Sequence, residues 1–277
     1  MSTTLILYYA SFLVGYFVAF FINLTTYYKY HTTQRRVWLY SLTFIYGFLG
    51  AMVAGKVYTV IYQSMGFKNE SILAMFGAVI LVPLFEIVTV LIEKAIRRRV
   101  NVSRAKTGSK RPLPPVSVRD TLDMLAPNVF LVMGFGKLGC HLNGCCYGIE
   151  CVFGLHRTFF GQEHILFPVQ LLEAGLIFAM LIALYFVKRR PFYRRGMAYP
   201  LTAGVYSALR FGVEYLRWYD EPMKKIVLGC MTVWQAAAIL VFASSAVSVF
   251  VLYKTGESSP LPKKNDAVKK QSQHRKK

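Results

Sequence analysis

Tyr206, Arg210, Glu214 and Arg217 recur at i, i+4, i+8 and i+11, so on a helix a phenol, two guanidiniums and a carboxylate share one face. Their neighbours are apolar. A guanidinium in a low-dielectric setting is a natural fork for a phosphate ester. In a membrane whose lipids carry phosphate, the stripe therefore points to a phospholipid headgroup. A structural ion pair between Arg210 and Glu214 that locks helices together fits the same residues. Lys56, Glu86, Lys137 and Glu173 also stand in apolar surroundings, where an ionisable group costs about 2.5–3.5 kcal/mol to insert. Lys56 follows Gly47, Gly50 and Gly55, whose spacing lets helices approach closely. For Lys56 and Glu86 the sequence favours snorkelling or interhelical bonding over chemistry.

The second concentration of reactive groups is Gly136-Lys137-Leu138-Gly139-Cys140-His141-Leu142-Asn143-Gly144-Cys145-Cys146-Tyr147-Gly148. Four glycines in so short a stretch predict that a regular helix stops and the backbone bends. At membrane depth such a bend survives only where protein or a water-filled cavity satisfies the freed amides. Beside Lys137, Asn143 and several thiols, that is the profile of a binding site. Cys151, His156 and His164 follow on the same stretch. The spacing of Cys140, Cys145, Cys146 and Cys151 departs from the closely paired ligands usual for zinc. Two structural disulfides, pocket packing, thiol or metal chemistry, and a direct part in the site's own reaction all remain open. Cys230 stands apart.

The elements that must carry these groups are membrane-spanning helices. The chain is 55% hydrophobic and only 17% charged, against roughly a quarter charged in soluble domains. A bilayer crossing needs about 20 apolar residues of helix. Seven segments qualify or nearly so: 5–24, 37–62, 72–92, 122–139, 169–187, 197–215 and 228–253. The first lacks the basic leader and small-residue cleavage site of a signal peptide. Most of the 33 Lys and Arg fall in residues 1–36, 93–112, 188–196 and 254–277, after segments one, three, five and seven. By the positive-inside rule this alternation places the N-terminus outside and the C-terminus in the cytoplasm. The net charge of +20 therefore reads as topology, not as a nucleic-acid surface.

The expected fold class is an all-α membrane protein with about seven transmembrane helices. Residues 1–254 form a single bundle, with a basic cytoplasmic loop at 93–120 and an outward segment at 141–168. A basic, disordered cytoplasmic tail follows at 255–277. Residues 97–118 read as a Pro-rich loop on the headgroups, where anionic lipid attracts each cation by about 1 kcal/mol. The aromatic and glycine content of the outward segment predicts packing against the membrane surface. No internal repeat of the kind common in transporters is visible.

Taken together, these pieces resemble the prolipoprotein diacylglyceryl transferase family over most of the chain. Asp123-Met124-Leu125-Ala126-Pro127 is similar to its D-x-x-A-P. Gly136, Gly139, Asn143 and Gly148 match positions of its glycine-rich signature. Phe167-Pro168-Val169-Gln170-Leu171-Leu172-Glu173-Ala174 resembles H-P-S-Q-L-Y-E-A, and Tyr206 through Glu214 resembles Y-x-x-x-R-F-x-x-E, with Arg217 at the arginine that follows. Gly50 to Lys56 looks like the G-x-x-x-G-x-R element, and Met231 to Gln235 like a late Met/Gln element. This chain has Lys137 at the signature's arginine, Cys140 at its first asparagine and Cys145 at its glutamate. Met75-Phe76-Gly77 stands where the family carries H-G-G.

The resemblance implies a bacterial multi-pass protein of the plasma membrane that needs no cofactor. It implies transfer of a diacylglyceryl group from phosphatidylglycerol to the lipobox cysteine of a prolipoprotein. A thioether forms at the outer leaflet and glycerol 1-phosphate leaves. Arg210 would hold the phosphate with help from Lys137, Glu214 would orient Arg210, and Tyr206 and Asn143 would bond substrate oxygens. Arg217, Gly136, Gly139, Gly148, Gln170 and Glu173 complete the implied substrate set. The base is unassigned among His141, His156 and His164, with His141 nearest the signature. Two other readings fit the same residues: a thiol-redox or metal-binding membrane protein on this fold, and a non-catalytic lipid-binding relative.

Overall fold

The computed structural model describes residues 3–26, 33–64, 76–106, 113, 116–159, 162–218 and 231–256. Among them are seven α-helices: α1 (Thr3–Thr26), α2 (Thr33–Ser64), α3 (Phe76–Lys106), α4 (Val118–Asn143), α5 (Val169–Val187), α6 (Ala198–Val213) and α7 (Val233–Thr255). Each of the seven expected segments coincides with one of them. Cys230 and residues 257–277 lie outside the described residues, as do 72–75 and most of the Pro-rich run. α4, α5 and α7 are each long and apolar enough to cross a membrane, and α1 and α2 contain the apolar stretches Ile6–Ile22 and Ser41–Val57.

α4 is the central helix, packing on α1, α3, α5 and α6, while α2 pairs with α3 and α6 with α7. The main core gathers Val79 and Val82 of α3, Leu125, Phe130 and Met133 of α4, Ile177 of α5 and Tyr199 and Tyr206 of α6. The outward faces of α1, α2, α3 and α7 present Phe17, Phe21, Phe48, Val60, Ile92, Leu240, Val247 and Phe250. A continuous apolar girdle of this extent is what lipid covers. Small residues set the closest approach: a Cβ on Gly77 would fall 2.2 Å from the Ala54 Cβ and 2.4 Å from the Gly50 carbonyl oxygen. This is the role that the glycine spacing in α2 predicted.

At the end of the bundle where the charge pattern places the cytoplasm, Asp123 of α4 ties down the start of α6. Its carboxylate accepts from the amides of Gly196 (2.9 Å) and Ala198 (3.0 Å) and from the Tyr193 hydroxyl (2.5 Å). Asp120 forks onto the Arg195 guanidinium one turn earlier. The D-x-x-A-P aspartate is thus a helix-start anchor that fixes α6 against α4.

Three expectations are corrected. Residues 97–106 are not loop: α3 continues to Lys106, because this stretch is rich in good helix formers. Glu93 and Arg97 also pair at 2.7 Å across one turn. The backbone does not bend at Gly136 or Gly139 either, since α4 runs through both and stops only at Gly144, in the left-handed conformation (φ 68°). Glycine in a helix costs about 1 kcal/mol; at Gly139 close packing offsets this, because a Cβ there would sit 2.1 Å from the Ser11 Oγ of α1. Finally, the outward segment contains an antiparallel hairpin, β1 (Glu150–Phe159) and β2 (Gln162–Leu166). A bulge between Glu150 and Leu155 leaves Val152 95% and Phe153 71% exposed.

Candidate functional site at the outer end of the bundle

Antiparallel connections bring the end of α4, the start of α5, the end of α6 and the start of α7 to one end of the bundle. The charge pattern makes that the outer end. Glu173 of α5 is the hub. Its Oε2 is 2.9 Å from the Lys137 ammonium and 3.0 Å from Arg217 Nη2. Its Oε1 accepts from the Tyr206 hydroxyl at 2.9 Å and lies 3.9 Å from Arg210 Nε. The second carboxylate, Glu214, contacts Arg210 Nη1 at 2.5 Å and Arg217 Nε at 3.8 Å, and accepts from the Thr232 hydroxyl at 2.9 Å. Thr232 is the N-cap of α7, closed by a capping box with Gln235.

Lys137, Glu173, Tyr206, Arg210 and Glu214 are all buried, and Arg217 is half-buried at their edge. Among the described residues the network holds three cations, Lys137, Arg210 and Arg217, against two carboxylates, Glu173 and Glu214. Burying charge is tolerated only where partners and hydrogen bonds compensate, and a cation-rich cluster of this kind attracts anions. Arg210 does pair with Glu214, as the plainer reading of the stripe held. It does so inside a cluster in which, among the described residues, cations outnumber carboxylates.

The glycine/cysteine turn is stitched to this cluster. The Ile149 amide donates to the Leu216 carbonyl (2.9 Å), Trp218 donates to Tyr147 (3.2 Å), and Gly148 and Arg217 form an antiparallel bridge. Gly148 also donates to Phe167 (3.1 Å) at the entry to α5. A Cβ on Gly148 would fall 2.5 Å from the Phe167 oxygen and 2.9 Å from that of Leu216, so this glycine is required where three chain segments meet. Gln170 Nε2 donates to the Cys145 carbonyl at 2.5 Å, while its buried Oε1 meets no donor among the described residues.

The cysteines divide. The Sγ atoms of Cys140, Cys145 and Cys146 all lie within 4.8 Å of one another. Cys140 is buried, Cys145 half-buried and Cys146 exposed. Cys151 lies on β1, where its thiol donates to the Phe153 carbonyl. The four described cysteines are free thiols, so the disulfide reading is not what this structure shows. Asn143, expected on substrate, closes α4 one residue before the Gly144 cap, and the Cys145 thiol donates to the Cys140 carbonyl at 3.6 Å. Hydrogen bonds from Cys140 and Cys145 hold the Cys146 thiol well below the ordinary range, and the charges of Arg217 and Lys137 add to this.

Of the three histidines considered as base, His156 pairs with Glu163 (2.9 Å) and His164 with Glu150 (2.5 Å) on the hairpin surface. His141, partly buried, gives its carbonyl to the Gly144 amide. Sequence reasoning passed over Thr232, whose capping box (Thr232 followed three residues later by Gln235) is a readable signal. It also passed over Asn128, buried on α4. That side chain lines an apolar cavity of about 230 Å3 between α1, α2, α3 and α4, and neither of its polar atoms has a hydrogen-bond partner among the described residues. A lone polar residue in an apolar stretch gave no periodic signal that could have flagged it.

Seven helices that gather a cluster of buried cations and carboxylates at one end, stitched to a thiol-bearing turn, define a polytopic membrane protein with a candidate polar site at that end. The family profile of prolipoprotein diacylglyceryl transferase matches residues 2–251. The chain belongs to that family, whose members are multi-pass proteins of the cytoplasmic membrane. It is 31% identical over 142 residues to phosphatidylglycerol–prolipoprotein diacylglyceryl transferase 2 of Clostridium perfringens, covering 49% of each chain. With the transferase of Clostridium tetani it shares 34% over 101 residues, 35% of this chain and 40% of that one. With that of Hydrogenovibrio crunogenus it shares 28% over 131 residues, 45% and 48%. The chain spans about half the length of the curated relatives it matches.

Proposed function

We propose that this protein transfers a diacylglyceryl group from phosphatidylglycerol to a cysteine thiol of a prolipoprotein at the outer leaflet. One observation carries the reading: among the described residues, Lys137, Arg210 and Arg217 converge on two carboxylates, Glu173 and Glu214, at the end of the bundle that the charge pattern assigns to the outer leaflet. A phosphodiester entering there meets these cations. As the glyceryl C–O bond breaks, negative charge accumulates on the departing phosphate, and fixed cations in a low-dielectric site stabilise it most strongly at that moment. Glu173 and Glu214 hold the guanidiniums in place, and Tyr206 holds Glu173. The buried Oε1 of Gln170, which meets no donor among the described residues, would accept a hydrogen bond from a group that enters at the cysteine turn. The apolar cavity lined by Tyr16, Phe44, Val82 and Met133 suits an acyl chain, and Asn128 offers a donor to an ester carbonyl.

The experiment is complementation of a strain depleted of its own transferase, scoring lipoprotein by mass. The chain is expected to restore a thioether-linked diacylglyceryl adduct. Arg210→Ala is expected to insert normally and lose about 10²–10³-fold in rate, the usual effect of removing one charge-stabilising group. A well-inserted chain that gives no adduct would overturn the reading.

A further inference from the structure

The three-thiol cup is not used by the mechanism above, which leaves the incoming thiol without a group to take its proton. We infer that Cys140, Cys145 and Cys146 bind one zinc ion whose open coordination position receives the substrate cysteine. The inference rests on the transferase reading for the identity of that fourth ligand, but the metal site stands on geometry alone. Zinc bonds thiolate sulfur at about 2.3 Å, which puts tetrahedral partners roughly 3.8 Å apart. The three Sγ atoms, all within 4.8 Å of one another, need only about 1 Å of closure.

The backbone is built to hold them there. α4 stops at Gly144 (φ 68°), the Gly144 and Cys145 amides return to the His141 and Cys140 carbonyls at 3.1 and 3.0 Å, and Gln170 grips the Cys145 carbonyl. Cys146 takes a positive φ of 61°, a left-handed conformation that non-glycine residues rarely adopt, and its sulfur lies with those of Cys140 and Cys145. Access is graded from buried Cys140 to exposed Cys146, and three thiolates leave a tetrahedral ion one position for a further ligand. Three protein ligands with one open position is the pattern of catalytic zinc, whereas structural sites are closed by four.

Charge supports the same assignment. Zinc with three thiolates carries one net negative charge, and in the adjoining cluster the described residues set Lys137, Arg210 and Arg217 against Glu173 and Glu214. The step balances without a redox partner. On coordination the substrate thiol loses its proton to water, as thiols do on binding zinc. Its sulfur then attacks the glyceryl carbon, the C–O bond to phosphate breaks, and glycerol phosphate leaves with the electron pair. The product thioether is a weak ligand and departs.

The test uses the full chain purified in detergent. Metal analysis is expected to find about one zinc per chain, retained in Cys151→Ser and lost in Cys145→Ser and Cys146→Ser. The cobalt-substituted protein is expected to show a thiolate-to-cobalt charge-transfer band that shifts on adding a lipobox peptide and does not shift with its cysteine-to-serine counterpart. Reduced protein that takes up neither zinc nor cobalt, or a cobalt band indifferent to the cysteine peptide, overturns the inference. So does a zinc-free Cys146→Ser chain that still transfers at the wild-type rate, and that outcome leaves the transferase reading standing. A zinc-bound chain whose cobalt band responds to the peptide but which never transfers lipid sustains the thiol site and removes the transferase reading.

Discussion

Glu173 shows how far the meaning of a charged residue depends on its neighbours. In the sequence it is one carboxylate near the start of an apolar segment; in the structure it touches Lys137, Arg217 and Tyr206 and stands close to Arg210. Burying a lone carboxylate would be costly, and the three surrounding cations offset that cost. Glu173→Gln leaves three cations facing one carboxylate, and breaking a buried ionic network this way costs about 3–5 kcal/mol. Thermal unfolding in detergent should shift down by several degrees, with Glu173→Asp falling between the two; an unchanged melting curve would show that the cluster is not held by this carboxylate. The Tyr206–Arg217 stripe was legible because all four residues follow one helical period. The hub was not, because its partners come from α4, α6 and the turn beyond α6, and no local periodicity reports contacts between helices.

At the scale of elements, the Gly148 junction is the most demanding. It joins the cysteine turn, the entry to α5 and the exit of α6, with two carbonyl oxygens within 3 Å of any added Cβ. Gly148→Ala should cost about 1–3 kcal/mol as an overpacked contact, and should reduce transfer more than Gly175→Ala, where a Cβ meets nothing within 4 Å. Comparing rate and melting temperature for the two variants decides the point. All seven helices could be read from hydropathy alone, since about 20 apolar residues leave little else for a chain to form. The hairpin was hidden because Glu150–Phe159 lacks clean alternation and its register breaks at the bulge. The extension of α3 was hidden because a run of arginines reads as loop by charge and as helix by propensity, and propensity with the Glu93–Arg97 pair prevailed.

For the whole molecule, orientation decides which leaflet the site serves. Basic stretches alternate along the chain, and the Asp120–Arg195 and Asp123 anchors lie at the end of the bundle opposite the cation cluster. A reporter fused after residue 256 should be active only in the cytoplasm, and an impermeant maleimide added to intact cells should label Cys146 in zinc-depleted protein. Labelling from the cytoplasmic side alone would invert the topology. Charge asymmetry along the chain makes this orientation legible in the sequence. The make-up of the cluster is not legible there, because it follows from which ionisable residues meet.

The account rests on that cation-rich cluster receiving a lipid phosphate during transfer. The most direct measurement is a single-turnover reaction of the purified chain in phosphatidylglycerol-containing nanodiscs with a lipobox peptide, followed by mass. Wild type should convert the peptide to its diacylglyceryl thioether, and Arg210→Ala, folded and inserted to the same extent, should do so about 10²–10³-fold more slowly. Conversion by Arg210→Ala at the wild-type rate would contradict it.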